Sequence, residues 1–321
     1  MPIAEALRTL RSQLLDHGLP PTPPHEAEEL RTLSRTTFRG KCWKVLLGGC
    51  DITCEEYVEL VGRGPSTMHS KIAVDACRTF ARDREFRSRV PPEKLARVLN
   101  VAVRQLGARL GEDAAVYVQG MNAICGILLL DLNEVDAASA LVALRERFCP
   151  LFLCKTLDGV HAACALLDRA LLALDPALSA HLLRHSLSAK IYAFPWILSL
   201  GSCFPPLHAA ARVMDLLFAE GIHAIVLVAA ARLLALRAPL LAASRPMQVL
   251  QRLPPLDADE MILSARALWP RLDPDLQARL RSHPVTTASP PVSLASPSAR
   301  DELCFEGDVD GQGEGDADES L

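Results

Sequence analysis

Aromatic residues are scarce in this sequence: three Trp, three Tyr and nine Phe amount to 5% of 321 residues. Sheets draw on β-branched and aromatic side chains, so this shortage argues against a β fold, and no convincing series of alternating strands appears. Concentrated positive charge is missing too. The formal net charge is −4, and Lys and Arg are scattered singly along helix-like stretches, which leaves no cationic footprint for DNA or RNA. A phosphate loop ending in Gly-Lys-Ser or Gly-Lys-Thr is lacking, so a nucleotide acted on by this chain would be held by another protein. Glu5 and Arg8 stand where a secretory signal would need its apolar region, so export is not expected and a cytoplasmic protein is. Ten Cys dispersed through apolar segments of so long a chain suit buried thiols in a reducing compartment, and no disulfide framework is expected.

Two apolar stretches are nominally long enough for a bilayer, and both read better as core. Residues 191–211 are broken by Pro195, Pro205, Pro206 and a Gly201-Ser-Cys interruption, and residues 224–241 contain Arg232 and Arg237. No membrane span is expected.

What is abundant is Ala and Leu, in a chain that is 50% hydrophobic. That composition predicts an all-α protein of many short helices. Apolar residues recur at helical spacing over 3–17, 28–48, 94–107, 137–148, 161–174, 176–186, 212–218 and 222–236. Met121 to Leu132 is almost wholly apolar and predicts a buried helix. After His283 the composition turns to Ser, Pro and Thr and then to Asp and Glu among glycines, a stretch unable to build a core. The expected organisation is a helical lead-in over 1–34, one helical domain over 35–283 and a disordered acidic tail over 284–321.

Three segments carry candidate chemistry: Arg39-Gly-Lys-Cys-Trp43-Lys-Val-Leu46-Leu47-Gly48, Lys71-Ile72-Ala-Val-Asp75-Ala-Cys-Arg78-Thr79-Phe80, and Tyr117-Val-Gln119-Gly120-Met121-Asn122. Ile72, Asp75 and Arg78 share one side of a helix, so Asp75 can aim the planar Arg78 guanidinium by a charge-assisted hydrogen bond. Gln119 offers a carboxamide that both donates and accepts, and Gly120 leaves room for a close approach. Taken singly these are ordinary features: a solvated Asp–Arg pair and a turn. Trp43, Leu46, Leu47 and Ile72 read as core, and Arg39 as a structural partner of Asp75. Cys149, Cys154, His161 and Cys164 match no common zinc spacing, and His181 with His185 lack the Glu of a zinc protease, so two surface histidines and no metal site are expected.

In their order, the three segments resemble the signature motifs of the TBC family, the GTPase-activating domains for Rab proteins. That resemblance implies a single TBC-type helical domain that presents two finger loops on one face. It implies an activator supplying residues in trans rather than a stand-alone hydrolase. Arg78 would stabilise transition-state charge and Gln119 would position the attacking water, with Arg39, Asp75, Thr79, Tyr117 and Gly120 in support. GTP and Mg²⁺ would be carried by a Rab-like small GTPase partner, and the chain would hold no cofactor of its own.

A narrower likeness is carried by Tyr117 to Leu130, by Phe194-Pro-Trp-Ile-Leu-Ser-Leu, by Leu216-Leu-Phe218-Ala-Glu-Gly221 and by Leu253-Pro-Pro-Leu-Asp257-Ala. These are similar to the branch of the family that controls mitotic exit, septation and the spindle checkpoint. That branch implies a scaffold subunit as second partner and the spindle pole body or centrosome as a place of action. Met214 stands before Asp215 where the family usually has Trp; Met fills an apolar gap, so the fold tolerates the change. A rival from another class stays open: a non-catalytic module of the same fold that only binds a GTPase or checkpoint partner.

Overall fold

Helix starts are written into the sequence as caps. Thr53 opens Cys54–Gly62 with a complete capping box: its hydroxyl accepts from Glu56 N–H while the Glu56 carboxylate accepts from Thr53 N–H. Asp83, Asn133, Asp175, Asp257 and Asp273 each accept from the backbone N–H three residues on. They open the helices Arg84–Arg89, Glu134–Ala143, Pro176–Arg184, Ala258–Leu268 and Pro274–Ser282. Pro stands in the first turn of Pro92–Leu110, Pro176–Arg184, Pro246–Gln251 and Pro274–Ser282, where its missing N–H has no intrahelical partner to lose. So many start signals in one chain produce many short helices.

The computed structural model describes residues 3–18, 36–49, 51–114 and 116–286. Among them there is no strand, and the fold is all-α. Residues 1–289 form one compact unit and 290–321 a second. The second unit lies outside the described residues, as do all of the expected acidic tail beyond 286 and the 28–35 part of the expected helix over 28–48. The remainder of that helix is Phe38–Leu46.

Pro92–Leu110 is the spine of the first half. Leu95, Val98, Leu99, Ala102 and Leu106 are buried along it, and it packs against Cys54–Gly62, His69–Arg78, Met121–Asp131 and Glu134–Ala143. Each fully buried Leu or Val contributes roughly 1.5–3 kcal/mol relative to exposure. Phe38–Leu46 closes on the end of Met121–Asp131 so tightly that a Cβ on Gly40 would overlap the Asp131 carbonyl oxygen. Thr37 seals the junction, donating its N–H to Asp131 O at 2.8 Å and its hydroxyl to Asp131 Oδ1 at 2.7 Å. Trp43, Leu46, Leu47 and Ile72 are buried as expected.

The second half is more uniformly apolar. Ala224–Ala235 is buried along most of its length between Asp158–Leu174 and Ala258–Leu268. Leu207–Glu220 packs on Ile3–His17, whose Leu14 and Leu15 are buried. Met214 is fully buried and fills its gap. Residues 191–211 resolve into the ends of short helices, Ala189–Tyr192, Phe194–Leu198 and Leu207–Glu220, and no described helix is long and apolar enough to cross a membrane. The histidine pair differs from expectation in one member. The two rings lie 4.8 Å apart and His185 is exposed, but His181 is half-buried, with a Nε2 that has no protein partner. Burial raises the thiols of Cys125 and Cys149, and pushes Cys164 up to about 12, so these cysteines serve as protonated packing groups.

Candidate functional site

His69–Arg78 ends where Thr79 turns extended and Phe80 adopts φ +45°, a left-handed conformation that a bulky residue holds only against strain. Packing holds it. The Phe80 ring meets Phe86 edge-on at 5.0 Å, and both rings lie on Gly126 of Met121–Asp131, where a Cβ would come within 3.1 Å of Phe80 and 3.2 Å of Phe86. The sharp exit leaves Arg78 on the last turn of its helix, where the macrodipole favours a cation, with its side chain 56% exposed.

Asp75, buried one turn earlier, aims that side chain. Its Oδ1 lies 2.5 Å from Arg78 Nη2, and its Oδ2 accepts from the Tyr117 hydroxyl at 2.6 Å. Both carboxylate oxygens are thereby committed. Burial first, and then the hydrogen bond to Asp75, push the Tyr117 phenol well above its ordinary range, so it stays a neutral donor. An ion pair this exposed on its cationic side adds little stability; its effect is to fix direction. Thr79 is buried and donates its hydroxyl to the Asp75 carbonyl at 2.6 Å.

The second loop is anchored on both sides of an exposed Gln119. Tyr117, Val118 and Met121 are buried, and Gly120 takes φ +109° where a Cβ would touch Leu198 at 3.0 Å. A residue with a side chain would be both strained and crowded there. The Gln119 amide has no hydrogen-bond partner among the described residues and is free to donate and accept. The structure thus brings Arg78, Asp75, Thr79, Tyr117, Gln119 and Gly120 together.

Arg39 does not join them, and the expected pairing with Asp75 is incorrect. Its Nε lies 3.2 Å from Oδ1 of Asp215, which is fully buried and also accepts from Trp43 Nε1 at 2.8 Å. Burial pushes the Asp215 carboxyl up to about 6, against the opposing pull of Arg39. Arg39 and Trp43 therefore tie Phe38–Leu46 to Leu207–Glu220. Asp75 is paired instead with Arg78 and Tyr117.

One residue beyond those singled out belongs to the site. Asn122 Oδ1 accepts from Gly120 N–H at 2.9 Å, and its Nδ2 donates to Thr79 Oγ1 at 2.8 Å. Its sequence signal was its place as the last residue of the third segment, two residues after Gly120, which left its partner unspecified.

Chemically, the site offers a held guanidinium and a free carboxamide on neighbouring loops. No group of three His, Cys, Asp or Glu side chains among the described residues could hold a metal ion.

The model of the Rab-GTPase-TBC domain matches residues 36–241. Cell division control protein 16 of Schizosaccharomyces pombe is 38% identical over 249 residues, covering 77% of this chain and 81% of that protein. The mitotic check point protein BUB2 of Saccharomyces cerevisiae is 33% identical over 267 residues, covering 80% and 85%. Among solved structures, the Chlamydomonas flagellar RabGAP TBC domain shares the fold with a TM-score of 0.57 at 23% identity, covering 89% of this chain and 92% of that one. With a matched domain that takes in both loops and similarity running through most of its length, the chain belongs to the Rab-GTPase-TBC domain family.

Proposed function

We propose that this protein accelerates GTP hydrolysis on a Rab-like small GTPase and does so in the control of mitotic exit or septation. The observation that carries the reading is the pairing of an exposed Arg78, aimed by a buried carboxylate, with an exposed Gln119 on a loop tied to the same carboxylate through Tyr117. Phosphoryl transfer to water requires positive charge beside the phosphates as charge shifts in the transition state, and a group that orients the water. Arg78 fits the first requirement. Gln119 fits the second, since one carboxamide can accept from the water and donate to a phosphate oxygen. GTP and Mg²⁺ come with the partner, and the donated pair is worth on the order of 10³–10⁵ in rate. The similarity to cell division and mitotic check point proteins supports the cell-cycle setting; a scaffold subunit as second partner is part of the proposal and rests on the branch resemblance alone.

The test is single-turnover hydrolysis by a panel of GTP-loaded Rab-like GTPases, with and without the purified chain. Acceleration of at least one is expected. Tight binding to a GTP-loaded member without acceleration would replace this reading with that of a non-catalytic binding module.

A further inference from the structure

The segments that carry Arg78 and Gln119 are far apart in sequence, yet side chains close them into a ring. From Arg78 the ring passes to Asp75 by the 2.5 Å ion pair and to Tyr117 by the 2.6 Å hydrogen bond. It follows the backbone through Val118 and Gln119 to Gly120. The Gly120 N–H then donates to Asn122 Oδ1 at 2.9 Å, Asn122 Nδ2 donates to Thr79 Oγ1 at 2.8 Å, and Thr79 is bonded covalently to Arg78. Two of its links are polar bonds on the Asp75 side and two are polar bonds on the Asn122 side. We propose that Asn122 is a positioning residue whose amide closes this ring and makes the two fingers one unit. The proposal rests on the activator reading above.

The chemistry explains why the side chain is an amide. One planar group must accept from a backbone N–H and donate to a hydroxyl, and Asn does both at the reach of a single methylene. Asp would keep the acceptor and lose the donor. Thr79 Oγ1 is already donating to the Asp75 carbonyl, so it can meet Asn122 only as an acceptor. Thr79 therefore cannot turn its proton to an Asp at 122 without giving up its own helix end. On the other loop, Gly120 has the widest backbone freedom of any residue type, and Gln119 beside it has no side-chain tether. The Gly120–Asn122 bond fixes the peptide next to Gln119, and the Asn122–Thr79 bond fixes that peptide relative to Arg78. Asn122 is half-buried and two bonds removed from either finger tip, so it acts through them and not on substrate.

The experiment uses the full chain as wild type, Asn122→Ala, Asn122→Asp, Thr79→Val, Thr79→Ser and the Asn122→Ala/Thr79→Val double variant. Hydrolysis is read in single turnover on the GTP-loaded Rab-like GTPase that the wild type accelerates most. Amide hydrogen exchange at Gln119 and Gly120 is read without any partner. Misplacement of a finger predicts a maximal rate about tenfold or more lower for Asn122→Ala. The half-saturating concentration should stay within about twofold, because ground-state binding is not what the link supports. Asn122→Asp should fall between, Thr79→Ser should keep the wild-type rate, and the double variant should fall no further than the worse single one. Gly120 exchange should quicken in Asn122→Ala.

A wild-type maximal rate in Asn122→Ala, a loss confined to half-saturation, or effects that multiply in the double variant would each overturn the positioning role. Should Asn122→Ala fail to fold, Asn122→Asp and Thr79→Val carry the same comparison. Unchanged Gly120 exchange overturns the link itself, whatever hydrolysis does. A wild type that accelerates no GTPase while Gly120 exchange quickens in the variant overturns the activator reading, and with it the positioning role.

Discussion

The helix that carries Arg78 and the region beyond residue 190 treat buried polar groups differently. Along the helix His69–Arg78, the polar side chains of Ser66 and Asn100 at its start and of Asp75, Thr79, Tyr117 and Asn122 at its end are all hydrogen-bonded within the protein. Beyond residue 190, Tyr192 Oη, Ser202 Oγ, Arg232 Nε and His283 Nε2 are buried without a protein partner. Each such atom costs about 1–3 kcal/mol if nothing replaces the lost water. The region beyond residue 190 tolerates this because two of its helices, Leu207–Glu220 and Ala224–Ala235, are buried along most of their length, so apolar packing sets its stability. Along the Arg78 helix the polar network sets a geometry. The comparison teaches that damage near the fingers should appear in rate, and damage beyond residue 190 in stability.

The largest expected effect lies in the apolar region. Ile225 is fully buried, and Ile225→Ala should destabilise by about 2–5 kcal/mol in urea denaturation through lost contacts and a residual cavity. The maximal single-turnover rate of the folded fraction should stay at the wild-type value. A fall in that rate parallel to the loss of stability would erase the distinction between the two regions.

Tyr117→Phe reverses the emphasis. It keeps the packing and removes one hydrogen bond, leaving Asp75 Oδ2 without a donor, so stability should fall by only about 1–2 kcal/mol. The rate should fall roughly tenfold as Arg78 loses its fixed direction. Hydrolysis unchanged at equal folding would show that Asp75 needs no second donor to aim Arg78.

The smallest effect concerns acid. Burial pushes His223 and His283 down to about 4 from an ordinary value of 6.5. Between those values the unfolded chain takes up protons that the folded one refuses, so their stabilising contribution is complete above about pH 6.5 and is lost as pH falls toward 4. Asp168 and Asp215, pushed up to about 6 by burial, run the other way, protonating first in the folded state and recovering stability as pH falls below about 6. His283→Phe removes one acid-sensitive group and leaves the two carboxyls. The difference in stability between pH 7.5 and pH 5 should therefore shift in favour of acid, by urea denaturation at both values. An unchanged difference would show that His283 titrates normally.

Much of this was legible in the sequence, for reasons that can be named. Caps such as Thr53 with Glu56 act locally, so their residue types reveal them. Asp75 and Arg78 were readable because a three-residue spacing fixes their contact on any helix. What could not be read depends on contacts distant in sequence. Arg39 was assigned to Asp75 because nothing local distinguishes that carboxylate from Asp215, which lies 176 residues away and is the actual partner. The part played by Asn122 is set by Thr79, 43 residues earlier. Phe80 carries φ +45° with no glycine to announce it, since its strain is held by Phe86 and Gly126. Leu207–Glu220 begins five residues before the expected 212–218 segment because tertiary burial of Ala209, Ala210 and Ala211 extends it where periodicity is weak.

The central claim is that Arg78 and Gln119 act on the transition state of a partner's GTP, and one paired measurement tests it most directly. Single-turnover hydrolysis and equilibrium binding to the GTP-loaded partner are measured side by side for wild type, Arg78→Lys, Gln119→Ala and the double variant. Lys lacks the planar fork, so Arg78→Lys should lower the rate by roughly 10² or more, about 3 kcal/mol, while binding changes far less. Gln119→Ala should lose rate with the complex still formed, and the double variant should fall short of the product of the single effects because both residues serve one transition state. Hydrolysis left intact by both substitutions, or rate and binding weakened in equal proportion, would contradict the account.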